Sequence, residues 1–516
     1  MEKTEKKYLF AFLLIYFLIN IFFLTKYPFI HSDESWLSGL SRYMLEKGNF
    51  SVTEPFFDLN PRQPHAIRIL FHSLQAGIIY FCGYHIFQIR LISLVFGIFT
   101  LFYFYRLGKL RYPSKSLPFT AMFMLSFDSQ FIYASHFGRP EAILLFLTVY
   151  SLYYLEAKKE CHRYPHDFFL GMIIGLSVGI HPNSVFLFLL LISFYIYQII
   201  DKPGISLKNL GIFLGTVLIF GIGFILLSVS FNPNFLTDYF SYGQTHYKVL
   251  NPFLSKGVSF INFYYNLFIR ETGTYYAPDI RLQMLLFPLV TLFLLIRSLV
   301  RKKERKKNIP VLMGIFVLNL AIYFVGRFNQ TSVVFLFPLF YILLTDVIMI
   351  FSPKIQKITG YGLLLILLII TALNVSPYLS NTYDQYLVNL SQAVSPNNRV
   401  LASLNTEYYF ESGKLYDFRN LAYIKKHDLT IEDYIRKNKI QYIIYPTGLD
   451  YIYRKRPLWN GVYGSSTGYY RDLKNYLEHH CTEEYRFPDP TYGNEIARYV
   501  NKSNWEVIIY QVKENP

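Results

Sequence analysis

The chain has 516 residues, 53% of them hydrophobic and only 16% charged, with a formal net charge of +16. A water-soluble chain of this length carries roughly a quarter charged residues, so water is the wrong solvent for much of this one. Its 24 Pro, 28 Gly and 3 Cys exclude collagen-like, disordered and disulfide-scaffold classes. Cys82, Cys161 and Cys481 are far apart, fit no metal or redox spacing, and read as packing residues.

The positive charge is unevenly distributed. Residues 378–516 hold 17 Lys and Arg against 16 Asp and Glu, which leaves 33 against 18 in residues 1–377. That excess falls between apolar runs, as membrane topology is written, rather than on a nucleic-acid-binding face.

Apolar runs able to cross a bilayer core of about 30 Å are predicted at 8–25, 87–106, 117–135, 142–156, 168–183, 185–200, 210–230, 282–300, 309–326, 331–350 and 358–376. This is a polytopic α-helical membrane chain of about 11 spans, occupying residues 1–377. A further apolar stretch, 69–86, is interrupted or flanked by Arg68, His72, Gln75 and His85 and is expected to be interfacial or re-entrant. The first run lacks the small-residue cleavage site of a signal peptide. Placing the N-terminus in the cytoplasm gathers the basic loops on that side, RSLVRKKERKKN at 297–308 being the strongest marker. Loops 26–86 and 231–281 and the C-terminus are then extracytoplasmic. No internal repeat is visible.

Beyond Pro377 the composition becomes that of a soluble domain, 378–516. RVLASL (399–404), QYIIYP (441–446) and EVIIYQV (506–512) read as short buried strands, and LTIEDYIRKNK (429–439) as a helix with a threonine cap and an acidic first turn. Strands alternating with helices predict a small α/β domain.

Three features carry possible chemistry. In HSDESWLSGLSRYMLEKGNF (31–50), Asp33 is expected to cap a helix from Glu34 to Lys47 that Gly48 stops. Its stripe of Trp36, Leu37, Leu40, Met44 and Leu45 would lay it flat on the bilayer. In SHFGRPEAILLF (135–146), Glu141 stands at the outer mouth of a span, with Arg139 beside it and Pro140 starting the helix. In GLSVGIHPNS (175–184), His181 and Pro182 break an apolar run near the outer surface. Taken singly, these read as a helix cap, an acidic first turn and a polar kink.

In this order, DE after the first span, the Arg-led span IRLISLVFGIFTLFYFYRLGKL (89–110), RPE and GLSVGIHP resemble membrane glycosyltransferases of the GT-C class. Within it they are similar to the branch related to protein O-mannosyltransferases and the lipid A aminoarabinose transferase. The resemblance spans about residues 8–200, its general plan continuing to 376, and GRFNQTSVVFLFPLFYILL (326–344) looks like that class's late span. It implies an inverting enzyme that takes a sugar from a polyprenyl-phosphate donor to a glycan, lipid or protein acceptor on the extracytoplasmic face, among membrane lipids and without nucleic acid. Asp33 matches the class's first-loop acid, read as the catalytic base; Glu34 matches its acidic neighbour. Glu141 matches the acid after the third span, where many relatives carry Asp. Where relatives carry a phosphate-facing lysine this chain has NPRQPHAIR (60–68), so Arg62, Arg139 and Arg68 are the expected donor-phosphate ligands, with His65, His181 and His246 as further site polar residues. Some relatives bind a divalent metal, but no ligand cluster in this sequence demands one.

The chemistry agrees. An acceptor hydroxyl needs a carboxylate to take its proton, and a departing phosphate needs Arg or Lys. The rival reading is a transporter or flippase of a lipid-linked sugar, with Asp128 and Asp346 as its intramembrane acids; a non-catalytic scaffold would leave the carboxylates without a purpose.

Overall fold

The computed structural model describes residues 3–159, 163–201, 205–247, 253–271, 273–325, 328–380, 382–455, 465–493 and 502–513, without the side chains of 242–247, 253–255 and 303. Cys161 falls outside this set.

Among the described residues, eight helices are long and apolar enough to cross a membrane. They include α1 (Lys3–Phe23), α4 (Ile86–Arg111), α9 (Ser184–Asp201), α10 (Leu207–Phe231), α13 (Arg281–Val300), α14 (Lys302–Val325) and α16 (Pro353–Val375). The eighth joins a 3-10 segment, Gln330–Leu336, to α15 (Phe337–Ile348). Large apolar side chains stand exposed along them, such as Phe10, Leu14 and Leu18 on α1 and Leu218, Ile219 and Leu226 on α10. Water would not tolerate such stripes, and lipid matches them. The chain is a multi-pass membrane protein.

The remaining three expected spans are shorter. The run at 117–135 is two helices, α5 (Ser116–Ser126) and α6 (Ser129–Ser135), while α7 (Glu141–Ala157) and α8 (Tyr164–Ser177) cover the other two. Asp128 makes the break in the first: its Oδ1 accepts the Gln130 and Phe131 amides at 2.8 and 3.0 Å, capping α6. Its Oδ2 accepts from Gln283 at 2.7 Å and Tyr341 at 2.6 Å. Asp346 is paired with Arg111 at 2.5 Å and Lys307 at 2.8 Å. Both acids named by the transporter reading therefore have structural partners.

Helix α8 meets α10 through a small-residue stripe. A Cβ at Gly171 would lie 2.7 Å from Thr216 Cβ, at Gly175 2.5 Å from Phe220 Cβ, and just past the helix at Gly179 2.5 Å from Phe224 Cζ. Only glycine lets the two helices approach this closely. The turn after α8 then holds the outer loop, because Gly179 O accepts the Leu70 and Phe71 amides at 2.8 and 3.3 Å.

Helix α2 (Ser32–Lys47) starts two residues before the expected Glu34 and ends as expected at Gly48, which is in the left-handed conformation (φ 59°). The expectation for its cap fails. Its cap is His31, whose Nδ1 accepts the Asp33 amide at 3.0 Å while Glu34 Oε2 accepts the His31 amide at 3.0 Å. Ser35, Ser38, Gly39 and Ser41 are buried together with Leu37 and Met44. Helix α3 (Ile69–Cys82) packs against α2 on one side, Ser41 Oγ meeting His72 Nδ1 at 2.8 Å and Gln75 Oε1 at 2.7 Å. Short α11 (Phe235–Tyr247) and α12 (Phe253–Ile269) lie in the second large loop. Of the cysteines, Cys481 is buried but Cys82 is exposed, against the expectation of packing.

The C-terminal region forms a five-stranded mixed sheet in the order β2-β1-β3-β5-β4. The strands are β1 (Val400–Ala402), β2 (Leu415–Asp417), β3 (Tyr442–Pro446), β4 (Cys481–Pro488) and β5 (Glu506–Val512). Strands β1, β2 and β3 are parallel; β5 runs antiparallel to β3 and β4. Helices α17 (Tyr383–Ser391), α18 (Ile431–Asn438), α19 (Gly448–Lys455) and α20 (Tyr470–His480) accompany it, and Thr430 caps α18 with Asp433 in a capping box. The three expected strands are present, with β2 and β4 added.

This region covers α2. Tyr408 OH meets Ser38 Oγ at 2.8 Å, Arg42 donates to Phe410 O at 2.8 Å, and the Ile30 amide donates to Tyr492 OH at 3.0 Å.

Candidate active site

The site starts from α2. Glu34, wholly buried, receives a two-point fork from Arg90, with Nε to Oε1 and Nη2 to Oε2 both at 2.7 Å. Arg90 also donates to the Leu24, Pro28 and Phe29 carbonyls, and Gly138 N donates to Glu34 Oε1 at 2.7 Å. One ion pair thus ties the first outer loop, α4 and the turn before α7 together. Glu34 has no exposed surface, and both of its oxygens are engaged within the protein.

Asp33, one residue earlier, differs. Its side chain is 20% exposed. Oδ2 accepts from Arg139 Nη1 at 2.6 Å and from Tyr275 OH, while Oδ1 accepts no hydrogen bond among the described residues and lies 3.9 Å from His31 Nδ1. Burial pushes this carboxyl up, but Arg139, then His31 and Tyr275, outweigh it and hold it below the usual carboxylate range. Burial lowers the His31 imidazole, and its ring stacks on Tyr275 with centroids 4.5 Å apart.

Arg139 joins the two expected acids. Its Nη2 donates to Glu141 Oε1 at 3.0 Å, and Thr331 Oγ1 donates to the same oxygen at 2.9 Å. Glu141 Oε2 is buried without a hydrogen-bond partner among the described residues. Asp33 and Glu141 therefore meet one guanidinium, through its Nη1 and Nη2.

Beside α2 lies a cleft of about 380 Å³ lined by Trp36, Leu40, Arg62, His65, Arg68 and His72, among others. Arg62 sits over the Trp36 ring, 3.7 Å from its centroid, with Nε 3.8 Å from Glu54. Arg68 takes a positive φ of 104° at the start of α3. That conformation costs a non-glycine residue free energy and is concentrated at binding sites. Burial, then Arg68, Arg62 and His72, push His65 down to about 3, and its Nδ1 is buried without a partner among the described residues. The cleft is cationic without relying on histidine charge. Since Trp36 and Leu40 follow Asp33 by one and two turns on the same face, the cleft begins roughly 5–10 Å along the helix from the carboxylate.

The expected residues thus separate into groups. Arg62, His65 and Arg68 share the cleft; Asp33, Arg139 and Glu141 share one ion-pair network. His181 lies elsewhere: it is buried in the turn after α8 and its Nδ1 accepts the Asn183 amide at 3.0 Å. The side chain of His246 is outside the described residues. No group of three or more His, Cys, Asp or Glu able to hold a metal occurs among the described residues. Sequence reasoning missed His31, Tyr275 and Thr331 as site residues. Arg90 it noted only as the residue leading a span.

Comparison with known proteins agrees with this geometry. Residues 65–228 match the family described as dolichyl-phosphate-mannose-protein mannosyltransferase. The fold is similar to that of ArnT from Cupriavidus metallidurans bound to undecaprenyl phosphate, at 11% identity and a TM-score of 0.51 over 79% of this chain and 85% of that one. The apo state of the same protein gives 10% and 0.51, covering 84% and 95%. The Archaeoglobus fulgidus oligosaccharyltransferase in the apo form gives 12% and 0.50, covering 89% and 72%. No curated protein sequence matches the chain. The fold is that of the GT-C membrane glycosyltransferases, as the ordered sequence motifs imply.

Proposed function

We propose that this protein is an inverting glycosyltransferase that moves a sugar from a polyprenyl-phosphate carrier to an acceptor hydroxyl on the extracytoplasmic face. The observation that carries the reading is Asp33: a partly exposed carboxylate, kept ionised by Arg139, with one oxygen unengaged and a cationic cleft along the same helix face. The family match over 65–228 and the likeness to a protein crystallised with undecaprenyl phosphate support a lipid-linked donor.

In this account the acceptor hydroxyl approaches Asp33 Oδ1. Its oxygen attacks the anomeric carbon as its proton passes to Oδ1. The bond from that carbon to the phosphate oxygen breaks on the opposite face, and the electron pair leaves with the polyprenyl phosphate. Arg62 and Arg68 receive the phosphate, whose charge a guanidinium pairs at two points. Water then takes the proton from Asp33. Arg139, already holding two carboxylates, is a positioning residue rather than a phosphate ligand. Glu141 balances its charge, so Asp33 does not bear the full field of the guanidinium.

The basic loops support the orientation. Arg111 and Lys307 gather on Asp346 at one end of the helices, whereas Asp33 and the sheet lie at the end poor in basic loops. Residues 1–377 then form the membrane domain and 378–516 an extracytoplasmic domain that roofs the site. The test is transfer by the full chain in proteoliposomes carrying a radiolabelled polyprenyl-phosphate sugar and envelope extract. Labelled product of inverted anomeric configuration, with release of free polyprenyl phosphate, is expected. A donor left intact across the naturally occurring lipid-linked sugars would remove the reading.

A further inference from the structure

The second outer loop reaches the site at Tyr275. Its OH donates to Asp33 Oδ2 and accepts from Arg139 Nη1 at 2.6 Å. Its ring stacks on the His31 imidazole, with centroids 4.5 Å apart and planes 14° from parallel, and the Arg139 guanidinium lies 5.2 Å from its centroid. The fold holds Tyr275 from the next residue onward. Tyr276 is 5% exposed and packs edge-on against the rings of Tyr27, Tyr133 and Tyr378. Asn374 Oδ1, near the end of α16, accepts from Tyr276 OH at 3.0 Å and from the Asp279 amide at 2.9 Å.

These contacts act on Asp33 in two separable ways. A carboxylate held by one donor still pivots about that bond. Asp33 Oδ2 takes two donors, Arg139 from the turn before α7 and Tyr275 from the second loop, and this fixes which oxygen is engaged. The ring acts on the backbone instead. His31 Nδ1 accepts the Asp33 amide at 3.0 Å, and the stacked phenol restrains that imidazole. A phenylalanine would supply the stack alone, so the hydroxyl is the part of Tyr275 aimed at the carboxylate.

We infer that Tyr275 is a positioning residue for the transfer step, turning Asp33 so that Oδ1 meets the acceptor hydroxyl and bringing the second outer loop into the site. The inference rests on the transferase reading above and adds a residue that acts through Asp33 without itself taking the proton. The charged and titratable groups facing this carboxylate come from four elements. His31 is on its own loop, Arg139, with Glu141 paired to it, is on the turn before α7, Tyr275 is on the second loop, and Arg419 is on the C-terminal region. Burial raises the carboxyl; Arg139, His31, the Tyr275 hydrogen bond and Arg419, in that order, lower it. Removing the hydroxyl alone therefore moves Asp33 up toward the ordinary carboxylate range. A residue that merely props the loop would leave that titration unmoved.

The test compares Tyr275→Phe with wild type in the purified full chain. Its first readout needs no substrate. A water-soluble carbodiimide modifies protonated carboxyls, and peptide mass spectrometry follows the modification of Asp33 against pH. The midpoint should lie at higher pH in the variant, with Tm unchanged because the stack on His31 is kept. The second readout is single-turnover transfer from a polyprenyl-phosphate sugar to envelope extract. Despite the stronger base, the rate should fall at least about tenfold with donor affinity within about twofold of wild type, since a slightly misplaced reacting group costs up to about 10²-fold. In an Asp33→Asn background the same exchange should change the rate by less than about twofold, because a residue that aims the base then has no base to aim. An unmoved midpoint, or an equal loss of rate in both backgrounds, overturns the assignment. Transfer by the wild type with an unmoved midpoint sinks the positioning role alone. A moved midpoint without any transfer by the wild type supports the hold of Tyr275 on Asp33 and sinks the transferase reading.

Discussion

Arg90 grips Glu34 through two 2.7 Å hydrogen bonds in the interior, with neither side chain exposed to solvent. The pair sits one residue from Asp33, so whatever moves Glu34 moves the proposed base. Removing one partner of a buried pair leaves an uncompensated charge and costs about 3–5 kcal/mol. Glu34→Ala is therefore expected to lower the apparent Tm and the yield of folded protein, as read by fluorescence size-exclusion chromatography. A variant as stable as wild type would show that the pair does not hold the loop.

Glu141 bears on Asp33 through Arg139. Glu141→Gln keeps the shape but removes the charge that offsets the guanidinium, so Arg139 acts more strongly on Asp33. A carboxylate held lower is a weaker base. Turnover should fall about tenfold, the effect of roughly one pKa unit, with donor KM nearly constant. The acid limb of kcat should move to lower pH, because a base with a depressed pKa stays ionised further into acid. An unchanged profile with normal turnover would separate Glu141 from the site.

A pH effect on stability is expected at the contact between α2 and the C-terminal region. Glu407, 3% exposed, is pushed up to about 8 by burial, which Arg42 at 3.9 Å only partly offsets. Its folded value lies above the ordinary 4.5, so the folded state binds the extra proton between those values. Its contribution is fully present below about 4.5 and is lost as pH rises through about 8. Thermal unfolding of the wild type should show stability declining over that window, and Glu407→Gln should flatten the decline. Equal slopes in both proteins would remove Glu407 as the cause.

Arg62 is expected to hold the donor's phosphate. Arg62→Ala should weaken binding of a polyprenyl-phosphate sugar by about 2–3 kcal/mol, the upper range for a charge-assisted bond, while acceptor KM stays within a factor of two or three. Unaltered donor affinity would move the phosphate to Arg68.

The long spans were legible because lipid demands continuous apolar runs, which a single sequence displays. The division of the 117–135 run was less so: Asp128 was visible as an acid within it, and its cap on α6 is local, but Gln283 and Tyr341, which hold its other oxygen, lie far along the chain. The end of helix α2 was legible from Gly48, yet its start and its cap were misplaced by two residues. Aspartate is the better cap by general preference, but pairing with Arg90 fixes Glu34 where it closes a capping box with His31, and Asp33 is released toward the site. The ordered motifs were enough to bring Asp33, Arg139 and Glu141 under suspicion. His31 and Tyr275 escaped because they come from loops without periodicity, and Thr331 because it heads a run read only as a span; folding alone joins them to the site.

The central claim is that Asp33 takes the acceptor's proton. The direct measurement is single-turnover sugar transfer by Asp33→Asn against wild type, in membranes of a deletion strain that still supply the native acceptor, with donor binding measured in parallel. The amide keeps the size of the carboxylate and its bond to Tyr275 but cannot accept the proton. The account predicts a folded, membrane-inserted variant that binds donor within about threefold of wild type and transfers at least about 10²-fold more slowly, the usual scale for a general base. Transfer at a near-normal rate would contradict it and leave Asp33 as no more than a partner for Arg139.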